Sequence, residues 1–411
     1  MAPTLPLEGI RVLDFSTYVA APICSAMLAD WGADVIKIES TTGDVCRLFG
    51  LFAYCPARDD DNIQFELSNR NKRGISINLK TDEGKEIIHA LLKTADVLIT
   101  NYRPKALASL ALDYESISRK YPRIVYASLD GYGDCGPDKD KPGFDLTAYF
   151  ARSGFLVEMS DPGEPPVSPI IGFGDIPTGT ILAGGICAAL LSREKTGQGC
   201  KVQSALVNTA LWNLQMNIAV ANNNDHLPEE EFNRLRPTRK RPRSALANTY
   251  KTSDGRWITI LVLEHDRYWK SFAETVLLRP DLVDDSRFNN QMACLEYSEE
   301  LAAVVAEELE KYTKDDIVAR LKAADIAHEV NPRWHEIKDD AQCLENGFIN
   351  EYKMPSGRKD WMVGNPVRFN GEKTSFRRYA PRLGEHTDEV LAELGYSAEQ
   401  ISALRDNKII G

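Results

Sequence analysis

Over the first 130 residues, apolar positions fall into blocks of two kinds. "IRVLDFS", "DVIKIES", "GISINLK", "DVLITN" and "RIVYASLDGYG" are short apolar runs, most of them rich in Val and Ile, the pattern of strands buried on both faces. Between them, "APICSAMLADWG", "TDEGKEIIHALLKT" and "PKALASLALDYESISRKY" carry apolar residues at helical spacing. Pro22 stands near the first turn of one helix and Gly32 at its stop; Thr81 caps another, with Glu83 and Glu86 near the positive end of its dipole. The alternation predicts an α/β fold with a mainly parallel sheet covered by helices.

Further along, "IIGFGDIPTGTILAGG" sets one acid, Asp175, among glycines and apolar residues, ahead of a helical pattern reaching about Glu194. Two readings of Asp175 stand side by side. It caps the helix that follows, or the flanking Gly172, Gly174 and Gly179 clear bulk from around a carboxylate that a substrate must reach. "GQGCKVQSALVNTALWNLQMNIAVANN" then reads as a short strand running into a long apolar helix. The pattern breaks at "LPEEEFNRLRPTRKRPRSALAN", a charged connector with Arg234, Arg236, Arg239, Lys240, Arg241 and Arg243. Beyond it, "TYKTSDGRWITILVL" is a hairpin signal turning at Asp254-Gly255, followed by three helical stretches. The expected division is a large first domain over residues 1–220, a connector and small α+β domain over 221–329, and a return segment over 330–411.

Composition narrows the function. The chain has 411 residues, 43% apolar, with a net charge of −11, which argues against general affinity for nucleic acid or anionic membranes. Its 8 cysteines show no C-x-x-C pairing, so neither a zinc site nor a disulfide framework is suggested, and they read as reduced thiols in the cytoplasm. None of the 6 histidines forms an H-E-x-x-H pattern. The longest uninterrupted apolar or small run, "TILAGGICAALL", is short of a membrane span, and "MAPTLPLEGIRVLDFS" lacks the layout of a signal peptide. The first strand-to-helix turn, "DFSTYVAAP", has no G-x-G-x-x-G, and no P-loop occurs, which disfavours dinucleotide and nucleoside-triphosphate chemistry. The strand ends offer Ala20 and Ala21, then Lys80, then Asn101, Tyr102 and Arg103, a set suited to an adenine against backbone and phosphates against cations.

Taken in order, "PLEGIRVLDFS", "LADWGADVIKIES", "NRNKRGISINLKTDEGKE", "ADVLITNYRP", "GFGDIPTG" and "APRLGEHTDEVLAELGY" resemble the family III CoA-transferases, a group that includes methylacyl-CoA racemases. The resemblance implies a large Rossmann-like domain, a small domain, and two chains interlocked like linked rings, making a homodimer obligatory. It implies a coenzyme A thioester as substrate, with no tightly bound cofactor and no metal. It places the nucleophile at Asp175 and CoA contacts at Tyr18, Val19, Ala20, Arg47, Ile77, Lys80, Asn101, Tyr102 and Arg103. An ordinary aspartate ionises near pH 3.9, so Asp175 is expected to be anionic at neutral pH without help from a base.

Two stretches depart from the family pattern. Racemases of the group carry a histidine in a G-H-D stretch; here "PGFDLTAYF" puts Phe144 at that place and keeps Asp145, read as a helix cap or helper acid. A proton cannot be moved at carbon by phenylalanine, so transfer is favoured over racemisation. The glycine run of formyl-CoA transferase is replaced by "RPTRKRPRSALANTYKTSDGRW", a region similar to the branch acting on 2-hydroxy acids in amino-acid fermentation. Tyr149, Phe150 and Phe155 suit an aryl acyl chain or a core stripe equally. The alternatives are a racemase or isomerase using Asp175 as a base, and a CoA-binding protein without turnover.

Overall fold

The computed structural model describes residues 5–411. Six strands form one parallel sheet: β1 (Arg11–Phe15), β2 (Asp34–Glu39), β3 (Arg73–Ser76), β4 (Val97–Thr100), β5 (Val125–Asp130) and β6 (Lys201–Ala205). Their order across the sheet is β3-β2-β1-β4-β5-β6, with Leu13 opposite both Ile36 and Leu98. The chain leaves β1 in one direction to build β2 and β3, and crosses to the other side for β4. This reversal opens a crevice at the carboxyl ends of β1 and β4, where doubly wound sheets bind ligands.

Local signals account for most boundaries. The helix Ala20–Asp30 ends at Gly32, whose φ of 107° belongs to the left-handed side that glycine tolerates. Thr81 caps Asp82–Leu92 by accepting the Gly84 N–H at 3.1 Å. One expected helix is two. "PKALASLALDYESISRKY" breaks into Pro104–Ser109 and Tyr114–Lys120, because Ala111 turns to a φ of 54° and Asp113 caps the second piece through the Ser116 N–H at 3.0 Å.

The chain separates into two compact units, one holding the residues up to Ser160, Pro165–Val220 and Ala341–Gly411, the other Asp161–Glu164 and Ala221–Asp340. In the first unit, the return segment packs Val390, Leu391, Ile401 and Ile410 into the cluster built by Leu13, Ile36, Ile75 and Ile87. The second unit carries an antiparallel sheet of β7 (Ala247–Lys251), β8 (Trp257–Leu261) and β9 (Ala327–Val330). Its hairpin turns at Gly255, φ 75°, with the Thr252 N–H on the Arg256 carbonyl at 2.9 Å. Trp269, Phe272, Phe288, Leu301 and Val305 fill its core. This unit runs on past residue 330 to Asp340, where Glu336 holds Arg256 at 2.8 Å.

The helix Asp175–Thr196 has 22 residues and is long and apolar enough to cross a membrane by length and composition, a length hidden when only uninterrupted apolar letters are counted. Thr178, Gly179, Leu182, Ala183 and Ile186 are buried along its inner face. It lies close against Ala20–Asp30: a Cβ on Gly179 would stand 2.2 Å from the Ala20 carbonyl oxygen and 3.1 Å from the Cys24 nitrogen. Backbone cannot yield as a side-chain end can, so Gly179→Ala is expected to destabilise the chain by about 2–3 kcal/mol. Chemical denaturation of the purified variant measures this; unchanged stability would show that the two helices part without cost.

Candidate active site

A cleft of about 360 Å³ opens at the carboxyl ends of β1, β4 and β5. The turn after β1 supplies Thr17, Tyr18, Val19 and Ala20, the turn after β4 supplies Asn101, Tyr102 and Arg103, and Asp175 and Phe144 face the same space. Asn101 ties two of these segments together, accepting the Thr17 N–H at 3.0 Å and donating to the Thr17 carbonyl at 2.7 Å. Tyr102 stacks on Phe15 with centroids 4.4 Å apart. Phe144 meets the Tyr18 ring edge-on at 5.4 Å.

Asp175 is the first residue of its helix, and the cap position belongs to Gly174, which has no side chain to give. The capping is done from elsewhere. Asp145 accepts the Gly172 N–H at 2.7 Å and the Gly174 N–H at 2.9 Å, closing the turn that leads into the helix. Of its two sequence roles, Asp145 therefore fills the structural one, and Asp175 is relieved of capping. Gly174 serves this packing, since a Cβ there would lie 2.2 Å from Tyr149 Cγ and 2.4 Å from Asp145 Oδ1, whereas a Cβ on Gly172 would meet nothing within 4 Å.

Among the described residues, no side chain or backbone donor is hydrogen-bonded to the Asp175 carboxylate. Burial, with the like charge of Asp145 added, pushes its pKa up to about 7. The expectation of a fully ionised aspartate at neutral pH is thereby corrected. Half-buried and without a donor, the anion loses part of the solvation that holds an ordinary aspartate near 4.

The other sequence candidates divide. Tyr18, Val19, Ala20, Asn101, Tyr102 and Arg103 line the cleft with Asp175. Arg47, Ile77 and Lys80 lie outside its wall. Arg47 is bound to Glu39 at 2.6 and 2.9 Å and to the Pro381 carbonyl at 3.0 Å. Ile77 is buried, bridging to Ile410, and Lys80 is exposed beyond the end of β3. Of the two readings of Tyr149, Phe150 and Phe155, the core stripe fits: Tyr149 and Phe150 are 1% and 2% exposed, and half-buried Phe155 packs against the same cluster. The aromatic side chains at the cleft are Tyr18, Phe49, Tyr102 and Phe144.

Sequence reasoning missed Phe49 and the loop Lys139–Lys141, which also border the cleft. No local motif marks them; the two lysines in "DKDK" offered only a charge pattern typical of solvated loops. Among the described residues, no group of three or more His, Cys, Asp or Glu side chains is placed to hold a metal ion.

The model of CoA-transferase family III matches residues 7–387. The (R)-2-hydroxy-4-methylpentanoate CoA-transferase of Clostridioides difficile is 39% identical over 98% of this chain and 99% of its own length. The cinnamoyl-CoA:phenyllactate CoA-transferase of Clostridium sporogenes is 35% identical over 98% and 97%. Among solved structures, a CaiB/BaiF family protein from Brucella suis superposes with a TM-score of 0.81 at 27% identity, covering 95% of this chain and all of that one (100%).

Proposed function

Because this chain belongs to CoA-transferase family III, we propose that Asp175 is the nucleophile that carries acyl groups and CoA between two carboxylic acids in its cleft. The observation carrying this reading is the bare carboxylate. Asp175 is half-buried at the floor of a strand-end crevice, and its helix is capped by a different acid, leaving both oxygens available. A buried, unpaired carboxylate is costly to keep, and such groups gather where chemistry needs them.

In the proposed sequence, an Asp175 oxygen attacks the thioester carbonyl of the donor. The carbon–sulfur bond breaks, CoA thiolate leaves, and a mixed anhydride remains. The thiolate then attacks the Asp175 carbonyl of that anhydride, releasing the donor acid and forming an aspartyl-CoA thioester. The acceptor carboxylate attacks this thioester, expelling the thiolate again and forming a second anhydride. Attack of the thiolate on the acceptor carbonyl gives the new acyl-CoA and restores the carboxylate. Each attack develops an oxyanion, whose donors must come from other groups of the cleft, because Asp145 already holds the Gly172 and Gly174 N–H groups.

Phe144, at the place where racemases of the group keep a histidine, supports transfer over proton exchange at carbon. Identity of 39% and 35% to transferases named for 2-hydroxy-4-methylpentanoate and phenyllactate supports an acceptor that is a 2-hydroxy acid with a branched or aryl side chain. The active form in this reading is a homodimer. Trp212 and Met216, 65% and 81% exposed on the helix Leu206–Asn223, are apolar surface of the kind that partners cover.

Trapping tests the nucleophile. Incubation with donor acyl-CoA and hydroxylamine, followed by peptide mass spectrometry, is expected to yield a hydroxamate at Asp175. Turnover without any label there would assign Asp175 another role.

A further inference from the structure

The turn after β1 is gripped at three successive residues by side chains from elsewhere. Lys37 Nζ donates to the Ser16 carbonyl at 3.1 Å, Asn101 brackets Thr17, and Asp44 accepts the Tyr18 N–H at 3.2 Å. Lys37 and Asp44 are paired at 2.9 Å, both side chains wholly out of solvent. Asp44 also accepts the Cys46 N–H at 2.9 Å, and its own N–H donates to Glu39 at 2.9 Å.

Tyr18 has a φ of 64°, a left-handed conformation that a bulky residue avoids unless its surroundings impose it. That conformation puts its ring against Phe144 and in the wall of the cleft that holds Asp175. A buried ion pair is no efficient source of stability, since apolar residues of similar size commonly serve as well or better. The retained charges point instead to what the carboxylate holds.

We propose that Asp44, anchored by Lys37, is a positioning residue for the acyl-CoA cleft, acting through the Tyr18 N–H to pin the tyrosine in its left-handed conformation. This rests on the cleft being the acyl-CoA site. It also links Arg47 to the cleft: its guanidinium holds Glu39, which holds the Asp44 backbone.

Two full-length double variants separate the hydrogen-bond acceptor from the charge. Lys37→Leu/Asp44→Asn removes both charges and keeps an oxygen at the same reach. Lys37→Leu/Asp44→Ser keeps a hydroxyl able to cap the Cys46 N–H but one bond too short for Tyr18. With cinnamoyl-CoA as first probe, the asparagine variant, which loses the Lys37 hold on Ser16 but keeps an acceptor for the Tyr18 N–H, sets the reference KM for the thioester. The serine variant should raise it by about tenfold or more, with kcat changed less. Equal KM values in the two variants would overturn the inference. So would failure of both to fold, or of the serine variant alone, because Asp44 would then serve the fold. Hydroxylamine labelling of Asp175 in the parent reads the nucleophile separately, and its absence would remove that reading without touching the KM comparison.

Discussion

Asp175→Asn is expected to lower the transfer rate by about 10³-fold or more while the chain stays folded. Asparagine keeps the size and outline of the side chain but offers no anionic oxygen to bond to the acyl carbon, so no anhydride forms. The same substitution should stabilise the protein above neutral pH. The pKa of Asp175 is raised in the fold to about 7, so its neutral form is the one the folded state favours. Its contribution to stability is therefore full below the unfolded value near 4 and is lost as pH rises through 7. Asparagine never ionises, so the variant should exceed the parent by roughly 1–3 kcal/mol at pH 8, after allowance for solvent screening, with the gap closing toward pH 4. Steady-state transfer assays, with deamidation excluded by mass spectrometry, and denaturation at both pH values check the pair of effects. Parent-like turnover would end the nucleophile assignment.

A rate that climbs through neutrality is the second large effect. With the attacking form ionising near pH 7, kcat/KM should fall about tenfold per pH step below that point, to roughly one hundredth at pH 5, and level off above pH 8. Asp145 contributes through its like charge, so Asp145→Asn should move the midpoint to lower pH; an amide oxygen can still accept an N–H from the Gly172–Gly174 turn. Initial rates from pH 5 to 9 at constant ionic strength provide the test. A profile flat down to pH 5 would mean that the carboxylate is well solvated in the working enzyme.

Both effects follow from a division of labour between two acids that lie 30 positions apart in the sequence. Either aspartate alone looks like a helix cap. Only when the chain brings Asp145 under the Gly172–Gly174 turn is the capping supplied, leaving the Asp175 carboxylate with no hydrogen-bond partner among the described residues and with a raised pKa. The glycine at 174 belongs to the same arrangement, because any larger residue would collide with Tyr149 and the capping carboxylate.

Much of the scaffold was legible in one dimension. Runs such as "RVLDF" and "DVIKIE" are dominated by apolar residues because both faces of β1 and β2 are covered, even Asp14, Lys37 and Glu39 being buried, and Thr81 and Gly32 mark helix ends through their own backbone chemistry. The break at Ala111 was not legible, since nothing in "SLALDY" announces a left-handed alanine and the caps on either side had to compete for the chain.

What the sequence determined by itself is the alternation of strand and helix, the family, and the residues at the strand ends, because these depend on neighbours a few positions apart and on motif order. Tertiary structure alone decided the ionisation of Asp175, the sequestering of Arg47 by Glu39, and the placing of Tyr149 and Phe150 in the core. Each of those depends on how much water and which charges surround a side chain, and that is settled by residues far away along the chain.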